Sequence, residues 1–179
     1  MIKKQTHGPL PAPPLRECPN LAVSEGPGCN EALPRRESGE RASLYLSLGS
    51  NLADRTDNLH RAIRLLGERV GTVQRVSSFI ETEPWGFESE HPFLNAACLV
   101  LTTLSPMQCL EATQKIEREL GRRRKSRGGV YHDRPIDIDL LMYDDLTMST
   151  PRLTLPHPKM RERDFVMIPL REILPDSVL

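Results

Sequence analysis

Aromatic residues are scarce in this chain: Phe, Tyr and Trp together make up 4% of its 179 residues. Each ring near a candidate site therefore carries weight. Net charge is scarcer still, because 24 Lys and Arg balance 24 Asp and Glu. A neutral chain has no global field to gather nucleic acid or anionic membrane, so any attraction for anions must come from local clustering. Hydrophobic runs are short, and none approaches the ~20 apolar residues of a membrane span. The opening Met1-Ile2-Lys3-Lys4 leads into Pro and polar residues, which argues against a secretory signal. Glu17, Glu25, Glu31, Glu37 and Glu40 make the N-terminal segment too acidic for a transit peptide. The four cysteines, Cys18, Cys29, Cys98 and Cys109, form no C-x-x-C pair and no zinc spacing. A reduced, cytoplasmic setting is the expectation. So is a monomer without nucleic-acid or membrane partners, since no spare apolar stripe calls for a second copy.

Proline is not scarce, and its distribution divides the chain. Seven of the 16 prolines fall in residues 1–42, a stretch with neither helical nor strand period. It reads as a disordered or loosely attached extension, leaving one domain over residues 43–179.

From Leu44 the pattern becomes regular. Leu44-Tyr45-Leu46-Ser47-Leu48 alternates and ends in Gly49-Ser50-Asn51, a strand and its turn. Leu59, Ala62, Ile63 and Leu66 recur at helical spacing, which predicts a helix over about 56–68. Val73 to Thr82 predicts a second strand, Pro84 to Pro92 a turn-rich loop, and Phe93 to Leu101 a third strand. Ser105-Pro106-Met107-Gln108 supplies an N-cap, a Pro at the first helical position and a capping-box Gln. The helix it opens runs to about Leu120, burying Cys109, Thr113, Ile116 and Leu120 and setting Gln114 and Glu117 on a neighbouring face. A further strand spans Arg134 to Met142; Leu153 to Pro158 is a short extended piece, and Phe165 to Ile173 a closing helix. The order β-α-β-β-α-β predicts an α+β, ferredoxin-like sandwich, helices packed on an antiparallel sheet, with C-terminal additions.

The strand beginning at Arg134 carries the chemistry. Its period of two puts Ile136, Ile138 and Leu140 on one face and Asp137, Asp139 and Leu141 on the other. The two aspartate Cα atoms then lie roughly 6.6 Å apart, with both carboxylates aimed the same way. Asp is depleted in strands, so two in an apolar run need a cause. Hard divalent cations supply one, since Mg²⁺ takes one or two carboxylates together with substrate phosphates. Alone, the pair reads equally well as a solvated strand face. The preceding loop decides the matter, because Arg122, Arg123, Arg124, Lys125, Arg127 and Arg134 stand against one acid, Asp133. Cations delivered directly to an Mg²⁺-binding pair are what a polyphosphate needs, since metals and guanidinium forks neutralise different oxygens. An RNA-binding module would instead need sheet-face aromatics, and the chain has no such run. Asn95, inside an apolar strand, also needs a partner, because an unsatisfied buried amide costs ~1–3 kcal/mol.

Several dispersed motifs occur in a telling order. They are Gly49-Ser50-Asn51, Phe93-Leu94-Asn95-Ala96-Ala97, Ile116-Glu117 before Gly121-Arg122, Arg134-x-x-Asp137-Ile138-Asp139-Leu140-Leu141, and Leu155-Pro156-His157-Pro158 with Arg163-x-Phe165. Together they resemble the 6-hydroxymethyl-7,8-dihydropterin pyrophosphokinases of the folate pathway, over roughly residues 43–176. The resemblance implies transfer of the terminal pyrophosphate of ATP to the hydroxymethyl group of the pterin, releasing AMP, with two Mg²⁺ ions. By position it assigns both metals to Asp137 and Asp139, and closure over the phosphates to Arg122 and Arg134. The pterin edge falls to Asn95 and its faces to Phe93 and Phe165, with backbone groups near Thr82, Glu83 and Trp85 completing that subsite. Gln114, Glu117, Ile138, Arg152, Thr154, His157 and Arg163 fall to ATP, and Tyr131 to an aromatic lid. The chain departs from the family at His132-Asp133, where many members carry a Gly and a small residue or Pro, and in a longer loop containing Gly128-Gly129.

Overall fold

The computed structural model describes residues 40–86, 88–122 and 132–175. Residues 1–39 of the expected N-terminal extension, with Tyr131 and Arg123, Arg124, Lys125 and Arg127, lie outside the described residues, while Ala42, the extension's expected last residue, opens the first strand. No helix among those described is long and apolar enough to cross a membrane.

The chain runs β1 (Ala42–Ser50), α1 (Arg55–Arg69), β2 (Thr72–Val76), β3 (Ile80–Thr82), β4 (Phe93–Thr102), α2 (Pro106–Glu119) and β5 (Asp137–Tyr143). After these come a short hairpin, β6 (Met148–Ser149) and β7 (Thr154–Leu155), a 3-10 turn at Met160–Glu162, and α3 (Asp164–Ile173). The main sheet has the order β2-β4-β1-β5, antiparallel throughout, with β3 beside β4. The single strand expected over 73–82 is broken into β2 and β3. At the break Ser77 N donates to Ala97 O (2.9 Å), while the Ser77 hydroxyl accepts from Ala97 N (2.9 Å). A side chain thus replaces one rung of the ladder, and the backbone is free to turn without leaving a buried N–H unpaired.

The sheet separates two apolar clusters. Leu44, Leu46, Leu48, Cys98, Val100, Ile138 and Leu140 meet α1 and α2 through Leu59, Ala62, Leu66, Cys109 and Ile116. On the other face Tyr45, Ala97 and Leu141 meet α3 through Val166, Leu170 and Ile173. Each fully buried aliphatic side chain contributes about 1.5–3 kcal/mol by leaving water. In α1 the buried set includes Leu65, whereas Ile63 is only partly covered. The capping box of α2 forms as its sequence dictates: Ser105 Oγ accepts from Gln108 N, and Gln108 Oε1 accepts from Ser105 N (2.8 Å).

Alternation carries Asp137 and Asp139 onto the α3 side, opposite Ile138 and Leu140, as the sequence predicts. α3 covers the Tyr45–Ala97–Leu141 end of that face, while the end bearing Gly49 and Asp137 forms a cavity floor.

Candidate active site

A cavity of about 250 Å³ opens there, lined from the sheet by Ser47, Gly49, Thr82, Phe93, Asn95, Asp137 and Asp139. Its walls are Glu83 and Trp85 from the β3–β4 loop, Arg122 after α2, Arg134 before β5, and His157, Arg163 and Phe165 from the C-terminal part.

Strand register sets the floor. Gly49 pairs with Asn95 on one side and with Asp137 on the other; two residues back, Ser47 pairs with Ala97 and Asp139. With strands ≈ 4.8 Å apart, Asn95 and Asp137 stand about 10 Å from each other across Gly49. Gly49 keeps the middle of that row flat. A Cβ there would lie 2.9 Å from Asn95 Oδ1 and 3.5 Å from Phe93 Cδ1.

At one end of the row, Asn95 is 3% exposed and its Nδ2 donates to Thr82 Oγ1 (2.8 Å). The bond fixes the amide and leaves its carbonyl oxygen for another donor. Phe93 is buried beside it, while Phe165 and Trp85 stand with ring centroids 6.2 Å apart and planes tilted by 54°. The Arg163 guanidinium carbon sits 4.8 Å from the Trp85 ring centre and 5.6 Å from that of Phe165. That of Arg134 sits 5.0 Å from the Phe93 ring centre. Flat cations thus occupy the faces of the rings that line this end.

At the other end, charges are concentrated and buried. Asp137 accepts from Arg122 through Oδ1 and pairs with Arg134 Nε through Oδ2 at 2.8 Å. Burial raises its carboxyl, but the Arg134 and Arg122 charges and the hydrogen bond from Arg122 outweigh that and hold it below the ordinary range. The Asp139 carboxylate accepts no hydrogen bond from the described residues. Burial first, and the Asp137 charge second, push its carboxyl up to about 7. A cation between the two acids would relieve both causes.

Two acidic side chains make an incomplete cage. Among the described residues no group of three or more His, Cys, Asp or Glu is placed to hold a metal. Zinc or calcium sites built wholly of protein ligands need more donors, whereas Mg²⁺ retains water and binds substrate phosphates through one or two carboxylates. The residues present therefore fit Mg²⁺ arriving with a polyphosphate.

Glu117 reaches the site from below. It is 4% exposed, accepts from Ile138 N (2.9 Å) and from Arg122, and is pushed up to about 7 by burial, partly opposed by Arg122. Expected as an ATP contact, it stands as a strut between α2, β5 and Arg122, outside the cavity lining. His157 is fixed by its N–H to Leu141 O (2.8 Å), and its Nδ1 accepts from Lys159 N (3.2 Å), which places the ring proton on Nε2. Burial and the nearby Arg163 charge lower its pKa, favouring the neutral donor form at pH 7.

Of the residues expected from sequence, Thr82, Glu83, Trp85, Phe93, Asn95, Arg122, Arg134, Asp137, Asp139, His157, Arg163 and Phe165 converge on the cavity. Gln114, Ile138, Arg152 and Thr154 do not line it. Ile138 is buried in the opposite cluster, and exposed Arg152 pairs with Glu111 at 3.3 Å. Ser47 and Gly49 were not anticipated as site residues. Their signal was register: they sit on the central strand opposite Asn95, Asp137 and Asp139.

Known proteins are similar to this chain in sequence and fold. The model of the 7,8-dihydro-6-hydroxymethylpterin-pyrophosphokinase family matches residues 45–175. A 2-amino-4-hydroxy-6-hydroxymethyldihydropteridine pyrophosphokinase of Porphyromonas gingivalis is 56% identical over 135 residues, 75% of this chain and 92% of that protein. The protein of the same name from Bacillus subtilis is 45% identical over 130 residues, covering 72% and 76%. The fold is similar to that of Plasmodium falciparum HPPK-DHPS, with a TM-score of 0.64 at 16% identity, over 78% of this chain and 43% of that larger one. The chain belongs to the 7,8-dihydro-6-hydroxymethylpterin-pyrophosphokinase family.

Proposed function

We infer that this protein transfers pyrophosphate from ATP to 6-hydroxymethyl-7,8-dihydropterin, releasing AMP, in folate biosynthesis. The observation that carries the reading is the row Asn95–Gly49–Asp137, which sets a buried amide and an acid pair on one floor. A fused bicyclic ring over Gly49 would reach Asn95 with its amide edge and turn its hydroxymethyl group toward the acids. Phe93 and Phe165 supply the flanking rings, and stacking adds about 0.5–1.5 kcal/mol per face beyond buried area. Backbone groups of Thr82, Glu83 and Trp85 close the rest of that subsite.

Asp137 and Asp139 would hold two Mg²⁺ ions, which when bound neutralise phosphate charge and lower the pKa of a coordinated hydroxyl. Arg122 and Arg134 both pair with Asp137. Phosphate oxygens offer them new partners, so they would transfer from carboxylate to phosphate as ATP enters. His157, neutral and donating from Nε2, and Arg163 add donors for the same oxygens. These residues orient the β-phosphorus toward the pterin hydroxyl oxygen, which forms the new P–O bond as the bond to AMP breaks. The walls exclude water that would otherwise take the pyrophosphate. Gln114, Arg152, Thr154 and the backbone of Ile138 are read as a rim for the nucleoside, with Tyr131 as its lid. The strand order β5-β1-β4-β2 supports reading the sandwich as ferredoxin-like.

The test is the spent nucleotide. Incubation with ATP, Mg²⁺ and the reduced pterin gives AMP in step with pterin consumption; ADP as the product refutes pyrophosphoryl transfer.

A further inference from the structure

The β3–β4 loop brings Glu83 and Trp85 to the cavity, yet it is not part of the sheet, so something must hold it in place. Its stem is fixed from α1: Arg55 donates to Pro92 O (2.8 Å) and pairs with Glu81 at 2.8 Å. Nearer Trp85, the tie is Ser89. The Ser89 hydroxyl accepts from His91 N (3.1 Å) and gives its own proton to Asp133 Oδ1 (2.7 Å). The same oxygen accepts from Asn51 Nδ2 (2.6 Å), which also donates to His91 O further along the loop (3.3 Å). Asn51, 2% exposed, is in turn joined to Arg134 by two bonds, Asn51 N to Arg134 O (3.2 Å) and Arg134 N to Asn51 Oδ1 (2.8 Å). Asp133 therefore stands at a junction of three segments: the turn after β1, the loop carrying Trp85, and the segment carrying Arg134.

We propose that Asp133 is a positioning residue for the acceptor subsite, its carboxylate oxygen latching the Trp85 loop through Ser89 to the Asn51–Arg134 unit. The proposal rests on the pyrophosphokinase reading and adds a division of labour to it. Arg134 keeps its two bonds to Asn51 when Asp133 is lost, so the nucleotide side holds. The loop loses its tie nearest the ring subsite, so the acceptor side loosens. A carboxylate that accepts two hydrogen bonds from neutral donors is a strong tie, roughly twice a neutral one.

Trp85 is the only tryptophan in the chain and reports directly on the loop. In Asp133→Ala, acrylamide quenching of its fluorescence should rise about twofold as the loop opens more often. The KM for the pterin should rise roughly tenfold, the loss of one charge-assisted bond, with the KM for ATP within about twofold of wild type. Ser89→Ala removes only the loop's hydroxyl and should reproduce the effect in a folded protein. The double variant should be no worse than Asp133→Ala alone, since both cut the same tie. Asp133→Asn, which retains an acceptor oxygen, should recover most of the pterin affinity. Wild-type quenching and wild-type pterin KM in both single variants, additive losses in the double, or equal losses in the KM for ATP would each overturn the latch. A wild-type enzyme that forms no AMP would sink the functional reading instead, and leave the quenching comparison standing.

Discussion

Replacing Gly49 with Ala probes the floor of the site with a single methyl group. The new Cβ would stand 2.9 Å from Asn95 Oδ1, whereas ordinary contact begins at 3.4 Å, so about 0.5 Å must be found. The strand cannot retreat easily, because Gly49 is paired on both sides, to Asn95 and to Asp137. The Asn95 amide must therefore move, straining its 2.8 Å bond to Thr82 and displacing the oxygen offered to the pterin edge. One weakened and one misplaced hydrogen bond, at about 0.5–1.5 kcal/mol each, amount to roughly 1–3 kcal/mol, or a 5- to 150-fold weaker pterin complex. Global stability should fall by less than about 1.5 kcal/mol, since the methyl group meets a movable side-chain end rather than backbone. Titrating pterin into protein saturated with a non-transferable ATP analogue measures the affinity, and thermal unfolding measures the stability. Pterin affinity within twofold of wild type would refute the claim that Asn95, held against a bare Gly49, reads the acceptor.

Asp137→Asn and Asp139→Asn should each lower kcat by on the order of 10³-fold, the several kcal/mol a bound metal supplies, while the far-ultraviolet circular dichroism stays unchanged. Phe165→Ala should raise the KM for the pterin about tenfold by removing one stacking face, with the nucleotide product unaltered; steady-state kinetics with each substrate varied decides it. Glu117→Ala leaves buried Arg122 with one carboxylate fewer and Ile138 N unpaired, and should cost about 3–5 kcal/mol in denaturant unfolding. Metal-free protein should also become less stable as pH rises from about 4 to about 7. Glu117 and Asp139, both pushed up to about 7, hold protons in that window that ordinary carboxyls of the unfolded chain have released. The lowered carboxyl of Asp137 acts in the opposite sense, below about pH 4. Urea unfolding in EDTA across that range should show a shallower slope in Glu117→Gln than in wild type, and equal slopes would contradict the account.

Local rules made much of this legible. Alternation in Ile136–Leu141 placed the two acids on one face, and the Ser105–Pro106–Gln108 signature fixed the start of α2, because both depend on neighbours in sequence. Remote partners hid the rest. The break at Ser77 depends on a hydroxyl meeting Ala97 in another strand, and nothing in Val73–Thr82 announces it. The sequence sets Glu117 beside Gln114 on a face neighbouring the buried one; its burial comes from accepting from Ile138 N and Arg122, partners that spacing within α2 does not reveal. Gly49 was recognisable as a turn residue of β1. Its place between Asn95 and Asp137 needed the register of three strands.

The central claim is that Asp137 and Asp139 hold the metal ions beside the nucleotide. It is tested most directly by counting Mn²⁺ bound in place of Mg²⁺, by electron paramagnetic resonance, in the presence of α,β-methylene-ATP. Two ions per chain in wild type, with fewer in Asp137→Asn and in Asp139→Asn at equal nucleotide occupancy, is the predicted result. An unchanged ion count in both variants would contradict it.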